Sequence, residues 1–182
     1  MTLTFTKDID EMCYPYIFED SPLCDFEILT DELCTYIGLA LSQIEQQLVN
    51  EALGWLQPKI FDLNGSIRGK CAIDEQDIAQ LKHYYHFFKS KVTDNNTRFV
   101  LPRGVGPTAL LHQCRSLSKK VTRQLVLIDK ANIEVPQTLP RFTNMLVNFL
   151  FAMTRFLNQL QGIDEPEYVS NCYPTPKRYQ KG

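Results

Sequence analysis

The sequence predicts an all-α fold, a bundle of five helices. Three observations carry that prediction: apolar residues recur at helical spacing in five separate runs, most links between the runs are short, and no stretch alternates with the period of a strand. A chain of 182 residues buries roughly 70% of its unfolded surface in one compact domain, so it needs neither metal nor disulfide to fold. The expected organisation is an irregular segment over residues 1–25, the bundle over 26–162 and a tail over 163–182.

The N-terminal stretch holds Pro15 and Pro22 and no glycine. Helical periodicity begins at Thr30, read as an N-cap, with Asp31 and Glu32 in the first turn where carboxylates suit the helix dipole. Leu33, Tyr36, Ile37 and Ala40 continue the stripe, and Gly38 inside it permits close packing. The second run carries Leu48, Ala52, Leu56, Ile60, Leu63 and Ile67, with Pro58 expected to kink it and Gly65 and Gly69 closing it. Asp74 caps a third run through Ile78, Leu81, Tyr85, Phe88 and Val92. Residues 93–106 form the longest loop, and Pro107 suits the first position of the helix that follows. That fourth run has Leu110, Cys114, Leu117, Val121, Leu125 and Ile128 on one face. After a break at 132–140, Phe142, Leu146, Phe149, Leu150, Met153, Phe156, Leu157 and Leu160 line the fifth. The proline-containing tail after Gly162 is expected to be poorly ordered or draped over the surface.

Composition excludes several classes of function. With 44% apolar residues, 22% charged residues and a net charge of −2, the chain offers no basic surface for nucleic acid or for an anionic membrane. No apolar run approaches the length of a bilayer span, and the first ten residues lack the basic-then-apolar order of a secretory signal. The six cysteines (13, 24, 34, 71, 114 and 172) form no C-x-x-C pair, which fits reduced cytoplasmic thiols.

Candidate chemistry is sparse. No Glu-x-x-His spacing exists for a paired-metal bundle site, and His83 and His86, beside an aromatic stripe, lack a nearby cysteine or carboxylate to complete a zinc site. No metal site is expected. Arg115, Lys119 and Arg123 repeat at i, i+4 and i+8 on the fourth helix, with Lys120 alongside and Arg103 in the preceding loop. The row either grips a polyphosphate or is an ordinary solvated face. Phe99, in a loop rich in proline and glycine, either plugs the core or meets a ligand.

In this order the features resemble the PduO-type ATP:cob(I)alamin adenosyltransferases over residues 26–155. Thr30-Asp31-Glu32-Leu33 matches the family's V-D-E-L helix start, and Ile60-Phe61-Asp62-Leu63 its L-F-D-L segment. Phe99-Val100-Leu101-Pro102-Arg103-Gly104 matches its F-x-L-P-x-G loop, and the segment from Ala109 to Arg115 its A-L-H-x-x-R. Asn144 and Arg155 fall in its N-R-L-S-D-x-L-F-x-x-A-R pattern.

The resemblance implies ferritin-like up-down packing and a cytoplasmic homotrimer with sites between adjacent subunits. It implies transfer of the 5′-deoxyadenosyl group of ATP to the reduced cobalt of a corrinoid. Phe99 would cover the lower corrin face, Asp31 would pair with Arg115 across the subunit boundary, and Lys119, Lys120, Arg123, Asn144 and Asn148 would contact ligand. The implied ligands are cobalamin as substrate and ATP, with Mg²⁺ an optional addition; neither nucleic acid nor membrane is implied.

Some positions depart from the family pattern. Its T-G-D-x-G-x-T phosphate loop is replaced by the stretch from Thr6 to Met12, without glycine and with three acids. Its R-R-A-E-R becomes Lys119-Lys120-Val121-Thr122-Arg123, while Met145 and Asn148 replace an arginine and an aspartate. Lysine keeps the charge of arginine but not its bidentate fork. Two functional readings therefore stand beside the option of a purely structural protein: an adenosyltransferase with a rebuilt nucleotide site, or a non-catalytic paralogue that binds a corrinoid or another ligand in the cleft.

Overall fold

The computed structural model describes residues 6, 8–93 and 99–172. Among them five α-helices follow one another: α1 (Pro22–Leu41), α2 (Gln47–Gly65), α3 (Glu75–Lys91), α4 (Pro107–Lys130) and α5 (Thr138–Leu160). Helix α1 packs on α2 and α4, α4 on α5, and α5 on α3. The ring closes between α2 and α3, where Trp55 meets Tyr84 at 5.6 Å and Lys59 pairs with Asp77 at 3.0 Å.

The start of α1 corrects the sequence expectation. The helix begins at Pro22, where the missing N–H costs nothing, and Ser21 caps it by accepting from the amide of Leu23 at 3.2 Å. Thr30 is instead a fully buried interior residue. Its hydroxyl donates back to Phe26 and Glu27 and accepts from Asn64 Nδ2 at 2.7 Å. Asp31 and Glu32 therefore lie mid-helix and do not serve the helix dipole. Helix α2 runs through Pro58 and ends at Gly65, short of Ile67.

Other local signals behave as the sequence predicts. Asp74 and Asp77 form a reciprocal capping box at the start of α3, and Pro107 opens α4. A Cβ at Gly38 would stand 2.6 Å from Gln57 Nε2, so a side chain there would displace the amide that donates to the carbonyl of Cys34. The core is lined by Leu33, Ile37, Leu56, Ile60, Leu81, Leu146 and the fully buried Phe26, Phe88, Phe142 and Phe149. Burying each such side chain contributes about 1.5–3 kcal/mol.

The segment after α5 is not merely draped over the surface. Val100 and Glu167 form an antiparallel bridge, flanked by hydrogen bonds from Leu101 N to Pro166 O (2.9 Å) and from Tyr168 N to Phe99 O (2.8 Å). Glu165, buried, pairs with the buried Arg155 of α5. The expectations for residues 1–5, 7, 94–98 and 173–182 fall outside the described residues.

Candidate functional site

A cleft of about 740 Å³ opens between α4, α5 and the loop that enters α4. Phe99, Leu101 and Pro102 form one wall, Val147 and Phe151 of α5 another, and Tyr168 of the tail closes an end. The polar lining comes from Arg115 and Lys119 of α4 and Asn148 of α5. Helical geometry explains the convergence: positions 115 and 119 are one turn apart on α4, and 147, 148 and 151 share a face of α5.

Four of the eight residues singled out from sequence thus meet in one place: Phe99, Arg115, Lys119 and Asn148. The other four do not line it. Asn144 is exposed and donates to the carbonyl of Pro140 at 2.8 Å, within its own helix. Lys120 and Arg123 are exposed on α4, as Asp31 is on α1. His83 and His86 are exposed beside tyrosine rings, and no cluster of metal-ligating side chains occurs among the described residues.

Phe99 is no core plug, for it is 71% exposed. Its ring neighbour is Tyr168, with centroids 5.7 Å apart. Arg115 is half-buried, with its guanidinium 5.5 Å from the centre of the Phe151 ring, and its buried Nε has no hydrogen-bond partner among the described residues. Burial alone pushes its pKa below the usual arginine value. Among the described residues no carboxylate offsets that desolvation, so within them the cleft holds a cation that lacks an anion.

The loop wall is fixed from behind. The carbonyl of Arg103 accepts from Asn158 Nδ2 at 2.7 Å and from His112 Nε2 at 3.1 Å. A carbonyl only accepts, so Nε2 carries the imidazole proton and Nδ1 is bare. Burial, and secondarily the charge of Arg115, lower the His112 pKa to about 4, which leaves the ring neutral near pH 7. A Cβ on Gly104 would lie 2.7 Å from Thr108 Cγ2 and 3.1 Å from Asn158 Oδ1, so only glycine lets the loop pass this close to α4 and α5.

Sequence reasoning missed Phe151, Val147 and Tyr168 as lining residues. The first two were legible as the face carrying Asn148, but the longer apolar stripe of α5 drew attention to Phe149 and Leu150. Tyr168 had no such signal, because tail pairing rather than periodicity places it.

The profile of the cobalamin adenosyltransferase family matches residues 19–157. The corrinoid adenosyltransferase of Bacillus subtilis (strain 168) is 29% identical over 148 residues, covering 76% of this chain and 75% of its own. The cobalamin adenosyltransferase of Cupriavidus metallidurans is 33% identical over 136 residues, 72% of each chain. A variant of the PduO-type ATP:corrinoid adenosyltransferase from Lactobacillus reuteri, complexed with cobalamin and ATP, superposes with a TM-score of 0.75 at 22% identity, covering 84% of this chain and 88% of its own.

Proposed function

Since the chain belongs to the cobalamin adenosyltransferase family, we propose that it transfers the 5′-deoxyadenosyl group of ATP to a reduced corrinoid. In that reaction the reduced cobalt of the corrinoid substrate attacks the 5′ carbon of ATP, and triphosphate leaves. The observation that carries the reading is the cleft itself, where an exposed phenylalanine, apolar walls and a half-buried cation with no anionic partner among the described residues face one space. Phe99 would stand against the lower face of the corrin and keep an axial ligand from the cobalt, which eases its reduction by desolvation. Arg115 and Lys119 would meet the negative charge of the nucleotide, with Asn148 as a hydrogen-bonding neighbour and Lys120 and Arg123 adding to the field. Mg²⁺ would accompany ATP as its counter-ion.

The assembly we infer is a homotrimer with sites between adjacent subunits. Asp31 and Arg115 have opposite charges, and neither forms an ion pair among the described residues, which supports a boundary contact in which Arg115 donates both to Asp31 of the adjacent subunit and to the nucleotide. No helix of the described residues is long and apolar enough to cross a membrane. The six free thiols support a reducing cytoplasm.

One observation favours a second reading, a non-catalytic paralogue that binds a corrinoid or another ligand. A single 3₁₀ turn at Ile9–Glu11 occupies the stretch where the family keeps its phosphate loop, and the Asp8 carboxylate accepts from the amide of Asp10 at 3.0 Å. That amide is no longer offered to a phosphate, and the turn is acidic. Titration calorimetry with Mg-ATP separates the readings. Under the first, the wild type binds Mg-ATP and Arg115→Met weakens binding roughly 10- to 150-fold, the worth of one charge-assisted hydrogen bond. Under the second, Mg-ATP gives no heat while cob(II)alamin still binds.

A further inference from the structure

Phe99 has little to hold it, since its side chain is 71% exposed and its ring neighbour, Tyr168, belongs to the tail. The loop that carries it is fixed unequally. Its downstream end is tied to the bundle by the two hydrogen bonds that α4 and α5 make to the Arg103 carbonyl. Its upstream end, Phe99 to Leu101, is held through the pairing with residues 166–168. So short a two-stranded pairing has no independent stability in water, and it holds the loop only if the tail is itself anchored.

The anchor lies one residue before that pairing. Glu165 is 5% exposed, and its Oε2 stands 2.6 Å from Nε of Arg155, which is 4% exposed on α5. Arg155 follows Phe151 by one helical turn, so the rigid helix that lines the cleft also carries the anchor. A buried pair of this kind has a strict partner requirement, because removing one member takes away compensation for the other's buried charge. From this chain of contacts we propose that Glu165 is a positioning residue: its ion pair with Arg155 holds the tail against the loop and thereby sets where Phe99 and Tyr168 stand. The proposal rests on the reading of Phe99 as the residue that faces the corrin.

The test uses the full chain carrying Glu165→Gln, with hydrogen exchange and cob(II)alamin electron paramagnetic resonance as readouts. Protection of the Leu101 and Tyr168 amides is expected to fall by at least about tenfold, while amides in the middle of α1 and α4 are unchanged. The fraction of protein-bound cob(II)alamin without an axial ligand is expected to fall as well. In a Phe99→Ala background, Glu165→Gln is expected to change that fraction no further, the non-additivity of residues acting through one another. Arg155→Lys, which keeps the charge, should retain most of the wild-type signal. If Glu165→Gln does not fold, the double variant Arg155→Met/Glu165→Met removes both charges and carries the same expectations.

Full protection of Leu101 and Tyr168 in Glu165→Gln would overturn the anchor. Lost protection with an unchanged axial-ligand fraction would overturn the positioning role and leave only a structural one. Should the wild type not perturb cob(II)alamin at all, it is the functional reading that fails, and the exchange arm alone decides whether Glu165 fixes the loop.

Discussion

Arg115 concentrates the physics of the site in one side chain. A half-buried guanidinium with no carboxylate beside it costs stability and is useful only when an anion arrives. Arg115→Met, which keeps the apolar stem, is therefore expected to leave the free chain as stable as the wild type or more stable by about 1 kcal/mol, measured by urea denaturation, even as nucleotide binding weakens. Phe99 follows the same logic from the apolar side. Being exposed, its change to alanine should shift unfolding free energy by no more than about 0.5 kcal/mol while impairing reduction of bound cobalt. His112 makes a pH prediction. It titrates near 4 in the folded chain and near 6.5 when unfolded, so between those values the unfolded chain holds the extra proton. Stability should be level above about pH 6.5 and fall as the pH drops toward 4; His112→Gln should flatten that slope in denaturant midpoints taken across the window. Phe99, Arg115, Lys119 and Asn148 were legible because motif and helical spacing point to them. Glu165 and Tyr168 were not, since a tail without periodicity acquires its place only by pairing with a distant loop.

At the scale of elements, local chemistry explains three helix starts out of five with little help from packing: those of α1, α3 and α4. The Asp74–Asp77 box is the clearest case, with Asp74 accepting from the amides of Gln76 and Asp77 at 2.8 and 3.0 Å. Asp74→Ala should cost about 1 kcal/mol, seen as a lower melting temperature without change in ligand affinity, since α3 lies away from the cleft. The start of α1 was misread for an instructive reason. Thr30-Asp31-Glu32 has the composition of a cap, but Ser21-Pro22 has it too, and the apolar residues Cys24 and Phe26 carry the buried stripe back to six residues before Thr30. Threonine at 30 serves the α1–α2 contact, bonding its own helix and accepting from Asn64. Propensity proposed the wrong boundary and tertiary packing fixed the right one.

For the molecule as a whole, five amphipathic runs with short links admit few arrangements, which is why the bundle is legible in the sequence. The order in which helices pack is not, because α1 lies against α4 rather than next to its chain neighbours alone, and long-range pairing leaves no trace in periodicity. The cleft is a product of that order: it needs α4 and α5 side by side and the 99–104 loop held across their ends. Arg115 waits there for an anion that the described residues of one chain do not supply, and the nucleotide and the Asp31 of an adjacent subunit are the anions proposed for it. The most direct test mixes the purified protein with chemically reduced cob(I)alamin and Mg-ATP and follows the cob(I)alamin absorbance band against a sample without ATP. An ATP-dependent loss of the band is expected, with adenosylcobalamin as product. Decay at the same rate in both samples, with no adenosylcobalamin formed, would contradict it.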